Sequence, residues 1–151
     1  MSDVVKEIPI ASDHAGFPMK QFLIEQLKAD GWSVVDLGTY NEQSVDYPDF
    51  IHPLAFRINQ GEYKYGIILC GSGNGAQMTA NKYPHVRAAL CWNLEQAILS
   101  RKHNDANIIS LPGRYVDFQD AANMVHAFLT TPFEGGRHQK RVEKISTIIK
   151  K

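Results

Sequence analysis

The residues able to do chemistry gather around one cysteine. Cys70 ends an apolar run, Tyr65 to Leu69, and Gly71, Gly73 and Gly75 follow at alternate positions with Ser72 and Asn74 between them. A thiolate can take up and return a proton bound to carbon. Glycines let successive backbone N–H groups turn toward one point and hold a negative charge. The helical pattern that follows adds the partial positive charge of a helix N-terminus. The stretch offers an anion cradle with a thiol at its edge; on the plainer reading it is a tight strand–helix turn that needs glycine for packing.

Other candidates lie at the ends of other segments. Asp13 and His14 close the first apolar segment, and Arg114 follows Pro112-Gly113 after the last one. Arg137 and Arg141 are four apart, so a helix sets them on one face, where a bound dianion would relieve their repulsion. A solvated basic face is the bland alternative. His103-Asn104 ends a helical stretch, where a protonated histidine suits the helix dipole without any catalytic duty. Asp46-Tyr47-Pro48-Asp49 sits in a long polar stretch from Gly38 to Asp49, either a functional loop or, through Pro48, a helix start. Cys91 ends an apolar strand and reads as core.

The segments that must position these groups alternate in type. Strands are expected at Glu7 to Ala11, Trp32 to Leu37, Tyr65 to Leu69, Arg87 to Cys91 and Ile108 to Leu111. Helices are expected at Phe17 to Ala29, Phe50 to Asn59, about Ala76 to Lys82, Asn93 to about Lys102, Asp117 to Leu129, and from near Gly136 towards Ile149. That alternation predicts an α/β fold with a mostly parallel sheet and right-handed crossovers. Strand order 2-1-3-4-5 would put the switch point between strands one and three, where ligands sit beyond the carboxyl ends. Asp13, His14, Cys70 and the glycine cradle would then meet there, with Arg114 at the same end. The helix carrying His103 starts at that end and returns to the other. If His103 is catalytic, it reaches the cradle of a second subunit, and a two-fold dimer makes the exchange reciprocal.

Composition narrows the classes. A chain of 151 residues with 44% hydrophobic content suits one domain, residues 1–151, with a sizeable core. Sixteen basic and sixteen acidic side chains cancel, so no global field favours nucleic acid or membrane. No apolar run approaches the ~20 residues of a membrane span. Met1 to Glu7 is polar and lacks a signal-peptide core. Two cysteines without metal-type spacing point to a reduced, cytoplasmic setting.

Six motifs in one order carry a resemblance: Ser12-Asp13-His14-Ala15-Gly16, Asp46-Tyr47-Pro48, Cys70 to Gly75, Ala80-Asn81-Lys82, Ser100 to Asp105, and Glu134-Gly135-Gly136-Arg137-His138. Together they resemble type B ribose-5-phosphate isomerase, in the sugar-phosphate isomerase family that includes galactose-6-phosphate isomerase subunits. The resemblance spans about Ile8 to Ile148. It implies a Rossmann-like three-layer sandwich with a five-stranded parallel sheet and a C-terminal helix at a dimer interface. It implies a homodimer or dimer of dimers with shared active sites, no cofactor and no metal. Ribose 5-phosphate and ribulose 5-phosphate would interconvert through an enediolate in the pentose phosphate pathway.

Some members carry the base as Glu just after the glycine loop; that position is Ala76 here, so Cys70 is the implied base. Ser72 with the N–H groups of Gly71, Gly73, Asn74 and Gly75 would steady the oxyanion, and His14, Arg114, Arg137 and Arg141 would hold phosphate. Asp13 would bind sugar hydroxyls and help move a proton, and His103 would open the ring. Asn104 and Tyr47 would hold the sugar. The alternatives are a six-carbon substrate, such as allose or galactose 6-phosphate, or a silent sugar-phosphate binding protein. A nucleotide-binding module is disfavoured because no Walker-type Gly-Lys-Ser/Thr is present.

Overall fold

Each apolar run becomes a strand, and all the strands run the same way. The computed structural model describes residues 6–148, so the polar start of the chain and the expected helix end at Ile149 lie outside the described residues. One sheet holds β1 (Glu7–Ser12), β2 (Ser33–Asp36), β3 (Gly66–Cys70), β4 (Ala88–Leu90) and β5 (Ile108–Pro112). The helices are α1 (Phe17–Ala29), α2 (Tyr47–Asn59), α3 (Asn74–Ala80), α4 (Leu94–Asn104), α5 (Phe118–Thr130) and α6 (Arg137–Lys144).

The strand order is 2-1-3-5-4 rather than the expected 2-1-3-4-5, because β5 pairs with both β3 and β4 and leaves β4 on the edge. The reason lies in the side chains. An inner strand covered on both faces reads as a near-continuous apolar run, and the one polar side chain of β5, Ser110, donates to the Gly73 carbonyl (2.6 Å). Ile108–Pro112 is buried at every residue, whereas β4 has three residues and only Ala88 is buried. The reversal of direction across the sheet still falls between β1 and β3, as expected.

Side chains alternate across the sheet with period two. Ile8, Ile10, Ile67, Leu69, Ile109 and Leu111 face α1, α4 and α5. Ile68, Cys70 and Ile108 face α2 and α3. The result is the three-layer, Rossmann-like arrangement expected.

Helix boundaries differ where glycine or proline sets them. α2 starts at Tyr47, a turn earlier than expected, with Pro48 in its first turn and Pro53 inside it. The polar loop is correspondingly shorter. α3 starts at Asn74, because Gly73 takes φ 75° as its N-cap. A side chain at Gly73 would be strained there, and its Cβ would lie 2.6 Å from Leu90 Cδ1.

The edge strand is covered by a side chain. Asn81 donates from Nδ2 to the Ala88 carbonyl (3.0 Å) and accepts the Ala88 N–H at Oδ1 (2.8 Å), and Gln77 Nε2 donates to the same carbonyl. No described helix is long and apolar enough to cross a membrane.

Candidate active site

Backbone hydrogen bonds gather three strand ends at the carboxyl edge of the sheet. Asp13 N–H donates to the Leu69 carbonyl (3.3 Å), Gly113 N–H to Cys70 (2.9 Å) and Arg114 N–H to Gly71 (3.0 Å). These bonds fix Asp13, Cys70 and Arg114 relative to one another before any ligand is considered. Arg114 also leans over the glycine loop: a Cβ on Gly71 would lie 3.2 Å from its guanidinium. The Tyr47 ring covers Gly75 so closely that a Cβ there would fall 2.5 Å from Cζ. Gly75 thus serves close packing, and Tyr47 is placed by the first turn of α2.

Cys70 is buried, at 4% exposure, on the α2/α3 face. Ala76, at the position where a glutamate base would stand, is fully buried in α3. Ser72 Oγ accepts the N–H of Asn74 (3.2 Å), so that amide is engaged inside the loop rather than offered to a ligand. Asp13 Oδ1 accepts the N–H groups of Ala15 and Gly16, both at 3.0 Å, and so shapes the entry to α1. His14 Nδ1 accepts the Val45 N–H (3.1 Å), which keeps the proton of the neutral ring on Nε2, a donor suited to a phosphate oxygen.

That last contact depends on a loop anchored by a buried charge. Lys20 is fully buried, with Nζ 2.7 Å from Asp36 Oδ1, which also accepts the Gly38 N–H (3.0 Å). Asp36 begins the loop that later delivers Val45 to His14. Sequence reasoning did not single out this pair, because a lysine in a helical stretch is ordinarily solvated. The signal was available: Lys20 falls on the stripe of Leu23, Ile24 and Leu27, all buried. Val45 left no signal, because its contribution is a backbone N–H.

The other candidates collect at the amino end. His103 and Asn104 form the last turn of α4, and Arg137 and Arg141 lie on α6. The buried Arg101 holds this corner together, donating to Asp105 Oδ1 (2.8 Å), the Ala106 carbonyl (2.6 Å), the Thr131 carbonyl (3.2 Å) and the Tyr65 hydroxyl (3.0 Å). Glu134, seen in the sequence only as part of a motif and given no role, donates its N–H to the Lys102 carbonyl (3.1 Å). The rings of His103 and His138 stack with centroids 4.3 Å apart. Burial first, then the charges of His103 and Arg137, hold His138 below the usual histidine range, against the pull of Glu134.

α4 leaves the carboxyl end of β4 and returns to the amino end of the parallel β5, so His103 and Cys70 are at opposite ends of the sheet. One chain brings Asp13, His14, Tyr47, Cys70, Gly71 to Gly75 and Arg114 together. It brings His103, Asn104, Arg137 and Arg141 together, but it does not join the two groups. A cavity of about 840 Å³ is lined by neither Cys70 nor the arginine pair. It runs beside β4, lined by residues such as Gln77, Arg87, Leu99 and Ile145, and touches only Asn104 among the candidates. Cys91 is core, as expected, and burial pushes its thiol up to about 11, against a smaller lowering influence of the Ser100 side chain.

Residues 8–145 match the sequence pattern of the family described as ribose/galactose isomerase. Ribose-5-phosphate isomerase B of Escherichia coli is 39% identical over 95% of this chain and 97% of its own length. The crystal structure of a ribose 5-phosphate isomerase from Thermotoga maritima superposes with a TM-score of 0.92 at 46% identity, covering 95% of this chain and 99% of that one. Ribose-5-phosphate isomerase B of Mycoplasma genitalium with bound ribulose-5-phosphate superposes at 0.90 with 40% identity, covering 95% and 96%.

Proposed function

This chain belongs to the ribose/galactose isomerase family, and we propose that it interconverts ribose 5-phosphate and ribulose 5-phosphate through an enediolate. The observation that carries the reading is the joining of Asp13, Cys70 and Arg114 by backbone hydrogen bonds at the switch point. The same fold holds ribulose-5-phosphate in the Mycoplasma relative.

In this reading Cys70 removes the proton from C2 of the aldose and returns it to C1. A free thiol is only a few per cent thiolate at neutral pH, with a reference pKa of ~8.5. The glycine-loop N–H groups other than that of Asn74, with the Ser72 hydroxyl, stabilise the enediolate oxygen, and such a donor is commonly worth ~2.7–4 kcal/mol of barrier. Asp13 keeps Oδ1 on the α1 turn and offers its other oxygen to sugar hydroxyls. His14 Nε2–H and Arg114 bind phosphate from this end, and Tyr47 covers the sugar.

His103, Asn104, Arg137 and Arg141 reach the site from a second copy of the chain, His103 as the acid that opens the furanose ring. The enzyme is therefore a homodimer, or a dimer of dimers, with each site shared. A cytoplasmic setting fits the two free thiols. Assay of ribose, allose and galactose phosphates, each with and without chelator, tests the reading. Turnover of ribose 5-phosphate unaffected by chelator supports it. Preference for a six-carbon phosphate would move the assignment within the family, and turnover of none by folded protein would overturn it.

A further inference from the structure

At the amino end, three potential metal ligands converge. The nearest atoms of His103, Glu134 and His138 all lie within 4.8 Å of one another. His103 Nε2 is 4.0 Å from one carboxylate oxygen of Glu134, and His138 Nε2 is 3.7 Å from the other. Neither distance is a hydrogen bond. His138 is 7% exposed, and its Nε2 is a buried polar atom with no hydrogen-bond partner among the described residues. Leaving such an atom unmatched is costly, so it is a position from which a ligand gains.

We propose that His103, Glu134 and His138 form a binding site for a divalent transition metal such as zinc. Two imidazoles and one carboxylate make a common three-ligand zinc set, with the fourth tetrahedral position left to water. Bonds to zinc are ~2.0–2.2 Å, so the ligand atoms must close by about an ångström. Glu134 and His103 are 47% and 38% exposed at their side chains and can make most of that movement. Glu134 sits four residues from His138 and is tied to Lys102, next to His103, by its backbone, so all three ligands are already on one corner.

The charges around the corner select the type of cation. Arg137 and Arg141 on α6 oppose any positive ion, and so does Lys102 beside His103; Glu134 is the one carboxylate in the cluster. Magnesium or calcium, which rely on several oxygen donors, are therefore excluded. A metal that bonds to imidazole nitrogen retains an advantage there. The site is weaker than a structural zinc centre, and acidification empties it by protonating the histidines.

A metal here would bind a ring nitrogen of His103 and fix the imidazole against Glu134 and His138, away from ring opening. Zinc would thus inhibit turnover, a consequence that rests on the isomerase reading. The binding itself does not rest on it.

Titration of the full-length protein with zinc by calorimetry, and with cobalt by visible absorption, tests the site without an activity assay. One metal per chain is expected, with tetrahedral cobalt bands and no thiolate-to-cobalt charge transfer. Glu134→Gln, at an exposed position, and His138→Gln should each weaken binding at least about tenfold, while Cys70→Ala leaves it unchanged. Unchanged affinity in both Glu134→Gln and His138→Gln overturns the proposal. So does a charge-transfer band that disappears in Cys70→Ala, which would put the metal on the thiol. Zinc that binds as described but leaves turnover intact would support the site and instead count against His103 as the acid.

Discussion

At the carboxyl end of the sheet, Asp13, Cys70 and Arg114 are held by backbone hydrogen bonds that cross from strand to strand. At the amino end, His103, Glu134 and Arg137 hang on the last turn of α4, a connecting loop and the first turn of α6, braced by the buried Arg101. The first end has a thiol, a carboxylate and a rigid backbone but little cationic charge beyond Arg114. The second has cations and imidazoles but no nucleophile or base among strand ends. The contrast teaches that each end supplies what the other lacks. Because the ends of one sheet cannot meet, the proposed site is one that a second copy would complete.

The largest expected effect tests the chemistry of the carboxyl end. Cys70→Ala should lower isomerisation by roughly a thousandfold or more, the upper range for a lost general base, while ribose 5-phosphate binding by calorimetry is largely kept. Normal turnover in that variant would sink the base assignment. His103→Ala should cost about a hundredfold with cyclic ribose 5-phosphate and less with ribulose 5-phosphate, which cannot close the same ring. Equal losses in initial rate for both directions would remove the ring-opening role.

Mixing these two inactive variants asks whether the ends cooperate between chains. After complete exchange in a two-fold dimer, about a quarter of the sites regain both groups. Persistent inactivity despite exchange verified by mass spectrometry would break the comparison.

Smaller effects sharpen it. Lys20→Met leaves Asp36 without its cation and should lower stability by roughly 1–3 kcal/mol. Through Val45 and His14 it should also raise the KM for sugar phosphate more than it lowers kcat. An unchanged KM in the folded variant would show that the loop does not position His14. The smallest effect belongs to the amino end. The His138 pKa is depressed in the folded protein, so the unfolded chain binds the proton more readily. Stability should therefore fall as pH drops through about 6.5, the ordinary histidine value, and His138→Gln should flatten that part of the thermal-melt profile.

The parallel sheet, its three layers and the residues meeting at the switch point were legible because apolar runs, glycines and strand ends obey local rules. The position of His103 at the far end was legible from the direction of α4 alone. The place of β5 was not read, although the five-residue run Ile108–Pro112, apolar but for Ser110, outlasts the three-residue Ala88–Leu90; adjacency in sequence was taken for adjacency in space. Lys20 was hidden because a lysine is normally solvated, and its partner Asp36 is a strand away. The lock on His14 was invisible, since any residue at position 45 other than proline supplies the same N–H. Glu134 was seen as part of a motif, but only the fold sets it between two imidazoles.

The side chain of Asn81 has a consequence for how copies of this chain behave at high concentration. A bare edge strand is a template for adding another strand, and so for disordered aggregation. Asn81 satisfies both the N–H and the carbonyl of Ala88 with one amide, blunting that template while leaving the neighbouring groove open. A second copy meeting this edge would then have to dock through side chains rather than add a strand, and such docking can end in a closed pair rather than an open fibre.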